Sequence, residues 1–135
     1  MTVDRLTPDG VYELRNAGRR AYPQVIRVAG GMQIFLSGMV ALDPEGALIG
    51  EGDMVAQAAA TYANVGQALA AASAGAEDVV SCTVYATDLG SYRRAGRLVA
   101  AEFFGATRPT STVVEVTRLA DPRYLLEVQV IAVVG

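Results

Sequence analysis

Apolar residues recur every three or four positions in two stretches of the chain, and this spacing predicts two helices. The first predicted helix begins at Asp53, a typical N-cap residue, and ends at Gly75. The second begins near Ser91 and ends at Gly105. Both are amphipathic, so each should lay one face against another part of the fold.

Shorter segments rich in β-branched and other apolar residues predict strands. They cover residues 11–14, 25–28, 33–36, 79–85, 112–116 and 125–134. Gly30 and Gly31 separate the second strand from the third, which is the signal of a hairpin. Residues 43–46 have the composition of a type I turn. In the last strand both alternating faces are mostly apolar, so we expect a central strand covered on two sides.

The order of these elements predicts an α+β fold, with two helices on one face of a mixed sheet. The 135 residues amount to a single domain, residues 1–135, without an internal repeat or a linker. Because two helices cover only one side of a sheet, the other side needs a different partner. Self-association is the simplest way to bury it.

The composition removes several kinds of chemistry. The chain has no His and no Lys. Without His, no Ser-His-Asp or Cys-His nucleophile pair can form, and a zinc site would have to use carboxylates and one thiol. Without Lys, no side-chain amine is available for a Schiff base. Acid–base chemistry must therefore come from Asp, Glu, Tyr, Cys82 or water, and we expect neither a metal nor a cofactor.

Charge and cysteine content indicate the protein's surroundings. The net charge of −3 argues against nucleic acid as a partner, because such binding needs clustered basic residues that neutralise phosphates. Cys82 alternates with Val80 and Val84, which predicts a small core residue, and a single cysteine fits a reducing compartment. No signal-peptide pattern and no apolar run of about 18–20 residues is present. We therefore expect a cytoplasmic protein that binds neither nucleic acid nor membrane.

The segment 108–116 reads Arg-Pro-Thr-Ser-Thr-Val-Val-Glu-Val, and it is followed by Arg118-Leu119 and the apolar strand 125–132. Together these segments resemble the C-terminal signature of the RidA (YjgF) family, small trimeric proteins that hydrolyse reactive enamines and imines. Further matches lie, in order, in segments 21–25 and 35–39, at Gln57, Asn64 and Leu69, and in segments 78–88 and 102–104. The resemblance therefore covers nearly the whole chain.

The resemblance implies a chorismate-mutase-like, or ferredoxin-like, mixed sheet. Three such sheets would pack into a central barrel, giving a homotrimer that binds a small-molecule ligand in the clefts between subunits. It also implies that Tyr22 lines the pocket, that Gly38 presents backbone near the ligand, and that Glu127 orients or activates a water molecule. The matching segments add Ser37, Ser111 and Thr112 as candidate ligand residues. Val113 and Arg97 are further candidates, although they stand where some members have a small thiol residue and many have an asparagine, and Arg118 is a candidate from just beyond the signature.

Ser111 stands where the deaminases of this family carry an arginine. A guanidinium binds a carboxylate through two charge-assisted hydrogen bonds of about 1.5–3 kcal/mol each, whereas a serine hydroxyl offers one neutral bond of about 1 kcal/mol. Imines of amino acids should therefore bind more weakly here, and the ligand could lack a carboxylate. An arginine from elsewhere, Arg20 or Arg118, is the other way to supply the missing charge.

Glu127 is the candidate catalytic residue. It stands within an otherwise apolar strand, which is a costly place for a carboxylate that nothing pairs or uses. A desolvated carboxylate can accept and donate a proton. The structural interpretation is that Glu127 caps a neighbouring loop or points to solvent. Tyr22 and Arg97 also have structural interpretations, as a core or interface aromatic residue and as a surface charge.

Two functions from different classes follow. The first is hydrolysis of an imine, enamine or related labile bond by Glu127 and water. The second is non-catalytic ligand binding or regulation by a protein that keeps the fold without the arginine. Ribonuclease activity, which some relatives of the family have, fits poorly with an acidic chain that lacks His and Lys.

Overall fold

The computed structural model describes residues 1–16 and 18–135, which form eight strands and two helical regions. The strands are β1 (Thr2–Leu6), β2 (Arg15–Asn16), β3 (Arg19–Arg20), β4 (Val25–Ala29), β5 (Met32–Phe35), β6 (Val79–Ala86), β7 (Thr110–Glu115) and β8 (Leu126–Val134). The main sheet has the order β5-β8-β6-β7, with β6 and β7 parallel and the other pairs antiparallel. The predicted mixed sheet is therefore confirmed.

The first helix, α1 (Met54–Ala71), begins as predicted but ends earlier. The side chain of Asp53 accepts a hydrogen bond from the backbone N–H of Ala56 at 3.1 Å, which caps the N-terminus. The predicted end at Gly75 is wrong. Ser73 adopts a left-handed backbone with φ of 57°, and the N–H of Ala74 donates to Leu69 O at 3.0 Å, so the chain leaves the helix before the glycine.

The second helical region consists of α2 (Leu89–Ser91), a π-helical turn (Tyr92–Gly96) and α3 (Arg97–Phe104). It starts slightly before the predicted Ser91, because the Asp88 carboxylate caps the N–H of Ser91 at 3.0 Å. It stops at Gly105, as predicted. A 3₁₀ turn (Ala76–Asp78) leads from α1 into β6. α1 packs on β8 and on α3, so both helical regions lie on one face of the sheet.

The predicted hairpin between residues 25–28 and 33–36 does not form. Both strands exist, but β4 pairs with β1 in a separate two-stranded sheet, and β5 pairs with β8. Gly30 and Gly31 have φ of 78° and 87° and carry the chain from one sheet to the other. A methyl group at Gly31 would lie 2.7 Å from a Val133 side-chain carbon, so this glycine also allows a close approach.

The strand predicted at residues 11–14 is also absent. Two carbonyl groups of this segment each accept a hydrogen bond from a single donor, and none pairs with a neighbouring strand. Leu14 O accepts from the N–H of Ala21 at 2.9 Å, and Tyr12 O accepts from the Gln24 amide at 2.7 Å. Strand propensity alone did not decide the structure here because no neighbouring edge pairs with this segment.

The hydrophobic core lies between β8, β6 and the helices. Inward residues of β8 are completely or almost completely buried: Leu126, Val128, Val130 and Ala132. β8 is paired on both sides, which confirms that the last strand is central. Within this core, the hydroxyl groups of Tyr62 in α1 and Tyr92 in the π-helical turn form a hydrogen bond of 2.8 Å.

Gln57 is a fully buried polar residue of α1 that ties together two loops. Its side-chain N–H group donates to Gly50 O at 3.2 Å and to Arg123 O at 3.0 Å. Its oxygen accepts from the N–H of Leu125 at 2.9 Å. The segment that enters β8 is therefore held against α1 by this one amide.

We expect Gln57→Ala to lower the free energy of unfolding by about 2–4 kcal/mol, because it leaves backbone groups without partners in the interior. Gln67→Ala, on an exposed position of the same helix, should change it by less than about 0.5 kcal/mol. Urea denaturation of the two variants measures both values. Equal losses would show that the amide does not hold the loops.

Candidate functional site

The candidate catalytic residue lies on the face of the sheet that the helices leave uncovered. In β8, Glu127 alternates with buried neighbours, and its register partner in β6 is Tyr85. Tyr85 is in turn paired with Val114 of β7. Because paired residues share a face, these three side chains form one row across the open side of the sheet.

The Glu127 carboxylate lies directly on Gly38. A methyl group built on Gly38 would be 2.6 Å from Cδ of Glu127 and 2.7 Å from its Oε2. The backbone at Gly38 is outside the left-handed region, so the glycine is required for space and not for its φ angle. Met39 and Val128 exchange two backbone hydrogen bonds of 2.8 and 2.9 Å beside this contact and fix its position.

The Glu127 carboxylate makes no hydrogen bond and no ion pair within residues 1–16 and 18–135 of a single chain. It is half-buried. The prediction that it caps a neighbouring loop therefore does not hold for this chain alone. That capping role belongs to Glu115, whose carboxylate accepts from the N–H of Leu89 at 3.0 Å.

Ser111 and Glu127 lie on opposite faces of the sheet. Ser111 is paired with Cys82, which is buried under the helices, whereas Glu127 is on the open face. Val113 also packs on the helix side, against the core. Thr112 has the register of Thr83 and therefore shares the open face with Glu127.

The remaining predicted ligand residues are dispersed. Ser37 is exposed beside Gly38, and Tyr22 is half-buried in the segment before β4. The side chain of Arg97 donates to Arg93 O at 3.2 Å. Arg118 donates to the backbone of its own loop, to Leu119 O at 3.1 Å and Ala120 O at 3.2 Å. One chain thus joins Gly38 and Glu127, places Thr112 on the same face, and does not pair Arg97 or Arg118 with the carboxylate.

Burial in the core disfavours chemistry by the thiol of Cys82 and by the phenol groups of Tyr62 and Tyr92. Burial raises the pKa of the Cys82 thiol to about 12, so it stays protonated near neutral pH and is a poor nucleophile. Burial also raises the pKa of Tyr92 to about 12, and burial is the main cause of the raised pKa of Tyr62.

No group of three or more potential metal-ligating side chains occurs in the described part of the chain. Its helices also include none with the length and apolar character of a membrane span.

Sequence reasoning missed the neighbours of Glu127 across the sheet. Tyr85 and Val114 became part of the site only through the pairing register. It also missed that Ser111 and Glu127 lie on opposite faces. The sequence shows which residues of one strand share a face, because side chains alternate along the strand. It does not show the register that relates β7 to β6 and β8.

The fold is that of a small α+β protein, and comparisons with known proteins identify its family. A family model described as Endoribonuclease L-PSP matches residues 14–134. A RutC family protein of Pyrococcus abyssi is 37% identical over 111 residues, which are 82% of this chain and 84% of that protein. The chain belongs to the RidA/YjgF family.

Solved structures agree with this assignment. Escherichia coli TdcF with bound serine is 32% identical, with a TM-score of 0.71 over 80% of this chain and 85% of that chain. A Rid family protein of unknown function from Yersinia pestis, YyfB, reaches a TM-score of 0.84 over 99% and 100% of the two chains. Its sequence identity is 24%, so this second likeness concerns the fold alone.

We expect Gly38→Ala to destabilise the protein by about 1–3 kcal/mol, because the new methyl group must displace the Glu127 carboxylate. In a Glu127→Ala background the space is free, and the same change should cost less by about 1 kcal/mol or more. Unfolding free energies of the two single variants and the double variant test this coupling. Additive effects would mean that the contact does not restrict either residue.

Proposed function

We propose that this protein binds a small molecule in clefts between the subunits of a homotrimer and hydrolyses an imine, enamine or related labile bond. Glu127 would act with a water molecule. The observation that carries the proposal is the unpaired, half-buried carboxylate held against the bare backbone of Gly38. A group in such a position costs free energy unless a ligand or a second chain uses it.

The reaction needs one group that moves protons. The Glu127 carboxylate would accept a proton from the water as its oxygen adds to the imine carbon. It would return that proton to the nitrogen, which gives a carbinolamine. It would then transfer the proton of the carbinolamine hydroxyl to the nitrogen as the C–N bond breaks and the C=O bond forms, which gives a carbonyl compound and an amine or ammonia. Positioned acid–base catalysis of this kind accelerates a step by about 10²–10⁴-fold. Gly38 supports the role because a larger residue would occupy the place of the carboxylate.

Ser111 directs the proposal toward substrates without a carboxylate. Neither its hydroxyl nor any guanidinium forms an ion pair or hydrogen bond with Glu127 within the chain, as far as it is described. Bound serine in TdcF shows that a related protein of this fold accepts a small amino acid. Here the carboxylate of such a ligand would lack the family's arginine, so an uncharged imine or enamine fits better.

A second candidate function is ligand binding without catalysis. The neutral Ser111 favours it, because the guanidinium that would bind a substrate carboxylate is missing. Within one chain Ser111 and Glu127 also lie on opposite faces of the sheet. A cleft that used both would have to combine the open face of one subunit with the edge strand β7 of another. Without turnover, such a cleft would still bind a small molecule and could report its presence to a partner.

The trimer is supported by apolar residues on the open face of the sheet. Phe35 is 68% exposed and pairs with Ile131, and Val114 is 38% exposed beside Tyr85. The helices bury the other face, so nothing in the described chain covers these residues. Large apolar side chains exposed on an uncovered sheet face are typical of an interface.

We expect the protein to have three times the 14.1 kDa mass of one chain in light scattering after gel filtration. Phe35→Glu should lower that mass, because it places a charge within the apolar interface. Leu98→Glu is the matched control, since Leu98 is 58% exposed on α3, on the opposite side of the sheet. A monomeric natural protein at working concentration, or equal effects of both changes, would contradict the trimer.

Keto-acid release from 2-iminobutyrate generated in situ tests the chemistry. We expect the natural protein to be slow, and Ser111→Arg to raise the rate at least tenfold by binding the substrate carboxylate. Adding Glu127→Gln to Ser111→Arg should lower the rate at least 100-fold, since the amide does not accept the proton. Glu102→Gln, an exposed change on α3, should leave it unaltered.

The outcomes separate the two candidate functions. Full activity of the Glu127→Gln variants would refute Glu127 as the catalytic residue. Binding of the ligand by the natural protein and by Ser111→Arg, with no turnover by either, would favour the non-catalytic function. High activity of the natural protein would mean that another arginine serves as the carboxylate clamp.

A further inference from the structure

An open cavity of about 360 Å³ is lined mainly by arginine residues. Its lining residues are Arg5, Arg15, Arg20, Pro23, Ala106 and Arg108. They come from β1, from β2 and β3, and from the turn before β7. The fold therefore gathers four guanidinium groups from distant segments, and we call this feature the arginine cavity.

The arginine cavity has a positive charge on an acidic protein. The net charge of the chain is −3. Glu13 is the carboxylate that pairs with the cluster: its Oε2 binds Arg15 at 2.8 Å, and its Oε1 accepts from Arg20. The hydrogen bonds from Arg20 and Arg15 lower the pKa of Glu13, so it stays ionised. One carboxylate against four guanidinium groups leaves an excess of positive charge, and mutual repulsion of like charges is unfavourable unless an anion relieves it.

Several hydrogen-bond donors in the arginine cavity have no partner in the described part of the chain. Arg108 uses only Nε, which donates to Gly105 O at 2.7 Å, so this bond orients the side chain and leaves both terminal nitrogens available. Arg5 makes no side-chain hydrogen bond there at all. Two or more guanidinium forks that face one space match the oxygen atoms of a phosphate group.

The residues that line the arginine cavity include none of the Glu127 row and not Gly38. Along β7, Thr110 is paired with Ser81, and Val114 lies in the Glu127 row. Four residues of strand span about 13 Å, and Arg108 lies further away, before the strand begins. Arg5 also precedes residues 14–134, the part that matches the family model. Ser111 itself is not one of the residues that line the cavity.

We propose that the arginine cavity is a binding site for the phosphate group of a small phosphorylated molecule. One guanidinium is enough to bind a carboxylate, which has one negative charge. A phosphate group has two negative charges and can therefore use the excess positive charge of the four arginines. The volume is in the range of small-ligand sites. The inference does not depend on the activity of Glu127.

Calorimetric titration with inorganic pyrophosphate, at constant ionic strength, tests the site on the full-length protein. The natural protein should bind it, and Arg108→Gln and Arg5→Gln should each raise the dissociation constant about tenfold or more. Arg93→Gln is the matched control, because it removes the same charge from an exposed position on the π-helical turn. It should change the dissociation constant less than twofold.

Folding is checked by circular dichroism, and Arg5→Gln keeps the test valid if Arg108→Gln disturbs the turn at Gly105. Arg108→Lys adds a second criterion: it keeps the charge, but it should still weaken binding because it loses the planar fork. No binding by the natural protein, or equal losses in Arg5→Gln and Arg93→Gln, would overturn the proposal. So would binding of a short single-stranded RNA that depends on Arg108 and is not displaced by pyrophosphate.

Discussion

The pairing of β8 with strands on both sides is the constraint on which the rest of the structure depends. Its inward side chains are buried under α1, so its outward side chains must lie on the open face. A register shift by one residue would place the Glu127 carboxylate beneath the helices and expose leucine and valine. The hydrophobic core therefore fixes both the fold and the face on which Glu127 lies.

The helix on the far side of the sheet also shapes the site. Asn64 of α1 donates to Val40 O and Leu42 O, each at 2.9 Å, and Gln57 holds the segment that enters β8. These two amides thus secure the chain on either side of the contact between Gly38 and Glu127. The site depends on the close contact between the Gly38 backbone and the Glu127 side chain. Partly buried hydrogen bonds of Asn64 and Gln57, which do not touch this contact, hold the segments that form it.

Periodicity predicted what depends on local sequence. The cap at Asp53, the stop at Gly105 and the central position of β8 follow from patterns within one segment. The hairpin around Gly30 failed because pairing depends on which distant strand offers an edge, and the strand at residues 11–14 failed for the same reason. The family resemblance predicted a role at the ligand for Gly38 and for Glu127, but their direct contact was not predicted, since the two residues are far apart in the sequence.

The distribution of arginines explains why replacing one of them matters. At position 111 a guanidinium would have been available for a carboxylate ligand, and the chain has a neutral hydroxyl there. Four other arginines line a cavity that includes none of the residues in the Glu127 row. None of these arginines forms an ion pair with Glu127 in the described chain, so the proposed phosphate ligand and the proposed substrate would rely on different groups of the protein.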